Sequence, residues 1–87
     1  MQTAKERLLN EGYEGIKVLD SYSYDSALIG VSEQGCAIYD YDKMVRWLMD
    51  AEGWDVDEAI EWIDLNTIRA LSYMGEGAPI IMYPLLE

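Results

Sequence analysis

Histidine and phenylalanine are both missing from these 87 residues, and cysteine occurs once. Without histidine the commonest general base is unavailable, and neither a Ser-His-Asp nor a Cys-His arrangement has a centre. The lone thiol, Cys36, closes no internal disulfide, which fits a reducing compartment. It falls in a predicted strand with no base beside it, so it reads as a small core residue rather than a nucleophile. Basic residues are scarce: six Lys and Arg stand against seventeen Asp and Glu, a net charge of −11. Nucleic acid and anionic membranes both demand clustered Lys and Arg, so neither is expected as a direct ligand. No apolar run approaches the ~18–20 residues of a membrane span. No charged-then-apolar leader with a small-residue cleavage site precedes the rest, and a cytoplasmic location is expected. Neither a glycine-rich phosphate loop nor a Gly-x-Ser-x-Gly elbow occurs. No catalytic residue and no cofactor is assigned, and the chain is read as a non-enzyme.

What is present is enough to fold. The apolar fraction is 51%, with ten aromatics, three Trp and seven Tyr. A single domain over residues 1–87 can therefore form a core without metal or disulfide staples. Tyrosine in place of phenylalanine implies aromatics that keep one polar end wet. Tyr22, Tyr24, Tyr39 and Tyr41 are expected to line a contact surface near a hairpin.

Residues 2–10 suit a short helix, with Thr3 as N-cap and Gly12 ending it. Residues 16–19, IKVL, alternate weakly as a strand would, and DSYSYDS (20–26) reads as a turn or surface loop. Residues 27–39 hold two β-favouring runs, ALIGV and CAIYD, around Ser32–Gly35. Gly35 suits the positive-φ position of a hairpin loop, and Gly30 suggests a bulge or a close backbone approach. Asp40 is the expected N-cap of a helix whose apolar face is Met44, Val45, Trp47, Leu48, Met49 and Ala51. Gly53 fits its left-handed C-cap. Asp55 and Glu58 form a capping box for a second helix, with Val56, Ala59, Ile60 and Ile63 facing the core. Asn66-Thr67 is expected to end it and cap one more turn. The run Pro79–Pro84 holds a last strand, and its prolines confine it to an edge. The predicted fold class is α+β: a small, mostly antiparallel sheet (hairpin plus C-terminal strand) packed against a helical hairpin and a short N-terminal helix.

The helical pair from Asp40 to Asp64 contains all three tryptophans and nine of the seventeen acids, against Lys43 and Arg46 alone. Asp40-Tyr41-Asp42 and Asp55–Glu58 crowd oxygens as calcium loops do. Neither continues into a twelve-residue loop with its Gly and Glu, so helix capping is the reading and no metal is assigned. Asp57, Glu61 and Asp64 share one helix face, where like charges at this spacing cost a few tenths of a kcal/mol per pair. Two readings stay open: a solvated face that serves solubility, or a rigid row of anions presented to a basic partner. Trp54 and Trp62 sit beside the acids, a composition common at binding hot spots, or else they lid a small core. The candidate partner-binding set is Asp50, Glu52, Trp54, Asp55, Asp57, Glu58, Glu61, Trp62 and Asp64.

Glu33–Gly35, Tyr39-Asp40, Gly53, Asp57–Ile63, Asn66-Thr67, Gly75 and Pro79-Ile80 also recur in order in a group of small acidic proteins. Residues 27–83, about two thirds of the chain, resemble this group, which comes from bacterial genomes, phages and mobile elements and has no activity to carry over. What the resemblance implies is genomic company in which inhibitors of host defence nucleases are frequent, an association only. The expectation is an acidic protein-binding module that acts as a nucleic-acid mimic. Its partner would be the basic surface of a nucleic-acid-handling enzyme. The alternative is a module that self-associates, as a homodimer or larger assembly, through its aromatic surface or an edge strand.

Overall fold

A computed structural model of the chain describes residues 3–19, 22 and 24–85. Helix α1 (Ala4–Asn10) starts from a reciprocal capping box. The Thr3 hydroxyl accepts from the Glu6 N–H at 3.2 Å, and the Glu6 carboxylate accepts from the Thr3 N–H at 3.2 Å. This short helix would be marginal alone; it is tied down by Asp25. The Asp25 carboxylate accepts from the Ala4 N–H at 2.6 Å, and the Asp25 carbonyl accepts from the Arg7 guanidinium. Ala4 and Leu8 face the core, while Leu9 is exposed.

Strands β1 (Leu28–Val31) and β2 (Ala37–Asp40) form the expected antiparallel hairpin. The register slips between Leu28 and Gly30, the bulge anticipated at that glycine. Gly35 has φ +86° and donates its N–H to the Ser32 carbonyl at 2.9 Å, closing the loop. Strand β3 (Ile80–Met82) lies on the other side of β2, an edge as its flanking prolines require. It runs parallel to β2, so the sheet is mixed, with one antiparallel and one parallel ladder. The reason is topological. β2 runs straight into a helix, and the long helical connection returns the chain to the end of the sheet where β2 begins.

Helix α2 (Tyr41–Glu52) is capped by Asp40, whose carboxylate accepts from the Lys43 N–H at 3.2 Å. It ends on Gly53 at φ +71°, a conformation glycine adopts without Cβ strain. Helix α3 (Val56–Trp62) follows from the Asp55 cap. Met44, Leu48, Ala59 and Ile63 are fully buried between the helices and the sheet.

Several expectations are corrected. Residues 16–19 are not a strand; they have no regular secondary structure, with Leu19 buried and its N–H donating to the Tyr39 hydroxyl at 3.4 Å. Asn66-Thr67 does not end the second helix. A π turn (Ile63–Thr67) carries the rod on into α4 (Ile68–Leu71), with the Ile68 N–H bonding five residues back to the Ile63 carbonyl. The inserted residue shifts the inward face by one, so Thr67, Ile68 and Leu71 turn toward the core and Asn66 and Ala70 outward. Cys36 precedes β2 and is partly buried in the hairpin loop. Val56 and Ala51 are exposed, being the first residue of α3 and part of the last turn of α2.

The tyrosine expectation fails where it is most informative. Residues 20, 21 and 23 of the expected loop lie outside the described residues, but Tyr24 is wholly buried, as is Tyr39. Tyr24 has φ +48°, a left-handed conformation uncommon for a bulky side chain. Its carbonyl accepts from the Ala27 N–H at 2.8 Å, opening a 3₁₀ turn at Asp25–Ala27. Its hydroxyl pairs with the Thr67 hydroxyl at 2.8 Å. Ring burial and this bond hold a backbone geometry that would otherwise relax.

Candidate protein-binding surface

The aromatics form a continuous series. Tyr24 packs on Trp47 at 5.3 Å between ring centroids and Trp47 on Tyr22 at 5.8 Å. Tyr22 packs on Trp62 at 5.6 Å and Trp62 on Trp54 at 5.6 Å. Such tilted and edge-on contacts contribute about 0.5–1.5 kcal/mol each beyond the area they bury. Trp54 and Trp62 are therefore the surface end of a structural series as well as candidate contacts. The indole N–H of Trp62 is buried and finds no acceptor.

The acids divide by what they already do. Asp55 and Glu58 are spent on the capping box: the Asp55 carboxylate accepts from the Glu58 N–H at 2.8 Å, and Glu58 Oε1 accepts from the Asp55 N–H at 3.3 Å. Glu52 accepts from the Tyr22 hydroxyl at 2.6 Å, and that bond to a carboxylate raises the Tyr22 pKa. Asp64 accepts from the Tyr41 hydroxyl at 3.0 Å, beside the Tyr41–Tyr83 ring pair. Burial first, and then this carboxylate, push the Tyr41 pKa to about 12. Asp50, Asp57 and Glu61 project from α2 and α3 as exposed side chains. The last turn of α2 holds no base to balance Asp50 and Glu52 against the helix dipole.

A shallow groove of about 280 Å³ brings four of the predicted residues together: Trp54, Glu58, Glu61 and Trp62. Leu65 and Asn66 complete its lining. Asp50, Glu52, Asp55, Asp57 and Asp64 lie outside it. Sequence reasoning missed Leu65 and Asn66. The available signal was an exposed leucine, three residues after Trp62 and four after Glu61, on a rod assumed to end there. The Asn66 side-chain amide donates to the Trp62 carbonyl at 3.1 Å, bracing the π turn beside the groove. Among the described residues no trio of His, Cys, Asp and Glu is arranged to hold a metal ion, and no helix is long and apolar enough to cross a membrane. The paired carboxylates work as caps and tyrosine acceptors, and the groove offers contact chemistry: charge, two indoles and an exposed leucine.

No protein-family model, curated protein or solved structure matches the chain.

Proposed function

We propose that this is a non-enzymatic protein-binding module that presents the outer face of α3 to a basic partner surface. The observation that carries the reading is the groove itself. Glu58 and Glu61 border two tryptophans and an exposed leucine, and none of the six lining residues is cationic. A face serving only solubility usually mixes signs. Here Leu65 and Val56 are 54% and 47% exposed beside the acids. Asp57 and Glu61 supply charge that steers encounter, and the indoles and Leu65 supply apolar contact. On the expectation that residues 27–83 resemble small phage and mobile-element proteins, the fitting partner is a nucleic-acid-handling or defence enzyme whose basic groove the module occupies as a decoy, in the cytoplasm.

The test is a pull-down from bacterial lysate, washed at about 0.1 M and then about 0.5 M salt, a range over which exposed charges become strongly screened. The triple substitution Asp57→Asn, Glu61→Gln, Asp64→Asn serves as the comparison. A nucleic-acid-handling protein retained at low salt, shed at high salt and missed by the triple variant is the expected result. Equal capture by the variant rules the acidic face out.

A second reading has its own observation. Ile80, Tyr83 and Leu85 are exposed on and after the edge strand β3, and an open apolar edge favours self-association. Salt-insensitive dimerisation in sedimentation experiments supports that reading instead.

A further inference from the structure

We infer that the groove between Trp54 and Leu65 takes an arginine side chain from the partner's basic segment. The inference rests on the binding-module reading above and names the group that the site recognises.

The lining selects by chemistry. Its carboxylates are Glu58 and Glu61, of which Glu58 has one oxygen engaged by the Asp55 N–H. Glu61 has both oxygens available to a ligand. Asn66 gives its Nδ2 to the Trp62 carbonyl, which fixes the amide's orientation and leaves Oδ1 as an acceptor. Apart from the indole N–H groups, the lining thus offers acceptors and the partly exposed indoles of Trp54 and Trp62. An anion is repelled, and a neutral apolar group would strip water from two carboxylates with nothing to replace it. A cation rich in donors is complementary. Between the two cationic side chains, guanidinium is planar, more weakly hydrated and able to lie on an indole while forking onto a carboxylate. Ammonium is a compact, strongly hydrated point charge that gains less from the indole faces. The groove, about 280 Å³, has room for one long side chain.

The experiment follows the indole N–H signals of the three tryptophans in the ¹⁵N-labelled full chain. Three probes are titrated at low salt: the peptide Gly-Arg-Gly-Arg-Gly, its lysine counterpart and its citrulline counterpart, which keeps the shape and loses the charge. Trp54→Leu and Trp47→Phe assign the signals, the third being Trp62. The arginine peptide is expected to shift the Trp54 and Trp62 signals saturably while Trp47, further along the ring series, stays still. The lysine peptide should bind at least about threefold more weakly, and Glu61→Gln or Trp54→Leu should each weaken the arginine peptide about fivefold. Equal affinity for the arginine and lysine peptides, or an unchanged affinity in Trp54→Leu, overturns the arginine groove. If Glu61→Gln still weakens both cationic peptides in that case, the acidic-surface reading survives without it. Citrulline binding as tightly as arginine overturns both, and no shift with any peptide overturns the groove while the pull-down still judges the surface.

Discussion

The two ends of the aromatic series are made of the same materials and do opposite work. At the inner end Tyr24 is wholly buried, strained at φ +48° and bonded through its hydroxyl to Thr67. At the outer end Trp54 is partly covered, lies in the turn between α2 and α3, and borders a groove with Glu61. The inner ring is wholly buried, and its loss is felt as stability. The outer ring packs on Trp62 and against the core, and it stays partly exposed at the groove. The difference shows why tryptophan beside acid reads ambiguously: one series lids the core and still arms the surface.

The largest effect that sharpens this contrast is a pair of truncations. Tyr24→Ala should cost about 3–5 kcal/mol, the range for emptying a large buried aromatic site. Trp54→Ala should cost roughly 1–2 kcal/mol, in proportion to its partial burial. Urea unfolding followed by far-UV circular dichroism measures both; equal losses would make the outer ring a core residue and weaken its case as a contact. Next in size is the hydroxyl alone. Tyr24→Phe leaves the Thr67 hydroxyl buried and unpaired, for a loss of about 1–2 kcal/mol, and Thr67→Val leaves the Tyr24 hydroxyl in the same position. The double variant should lose clearly less than the sum, since no orphan remains.

Alkaline pH separates the tyrosines by environment. The pKa values of Tyr24, raised chiefly by burial, of Tyr22, raised chiefly by the Glu52 bond, and of Tyr41, at about 12, all lie above the ordinary value of 10.0. A raised pKa means that the folded state holds the proton longer than the unfolded state. Stability from these groups is therefore complete below pH 10 and is lost as pH climbs toward 12. Phenolate absorbance and ellipticity, titrated together from pH 9 to 12, should show the last tyrosines ionising as ellipticity is lost. Tyr41→Phe should flatten the stability slope near the top of that range. An unchanged slope would show that Asp64 and burial leave Tyr41 unperturbed.

Local rules made much of this legible in advance. The caps at Thr3, Asp40 and Asp55, the left-handed Gly35 and Gly53, and the bulge at Gly30 each follow from side-chain or backbone chemistry within a few residues. The misses are long-range. Tyr24 sits in a polar run, Asp20–Ser26, that any local reading sends to the surface; only Thr67, far along the chain, and Trp47 explain its burial. The π turn was hidden because Asn66-Thr67 resembles a stop signal, whereas Asn66 bonds back to the Trp62 carbonyl within the rod and Thr67 is held by remote Tyr24. β3's direction depends on the path of the whole helical connection. At the site, the acids were legible as a set but not their division, since Glu52 and Asp64 are engaged by Tyr22 and Tyr41 from remote segments.

The smallest predicted effect isolates what the outer face gives up in stability. Asp57 and Glu61 are i, i+4 neighbours on α3, and like charges at that spacing repel by a few tenths of a kcal/mol. Their settings differ. Asp57 is in the first turn of α3, where the helix dipole favours an anion by about 0.3–1 kcal/mol. That gain offsets the repulsion, so Asp57→Asn should be neutral or slightly destabilising. Glu61 lies deeper in a rod that continues to Leu71, with Asp57 and Glu58 before it and Asp64 after it, and it has no terminal dipole to favour it. Glu61→Gln should therefore raise stability by a few tenths of a kcal/mol, a gain that shrinks as salt screens the neighbours. Urea midpoints at low and high salt decide the sign. A stabilised Glu61→Gln that also binds the arginine peptide more weakly identifies Glu61 as a residue kept for contact at the expense of the fold. A destabilised one makes the carboxylate structural and removes the strongest reason to separate the outer end of the series from the inner.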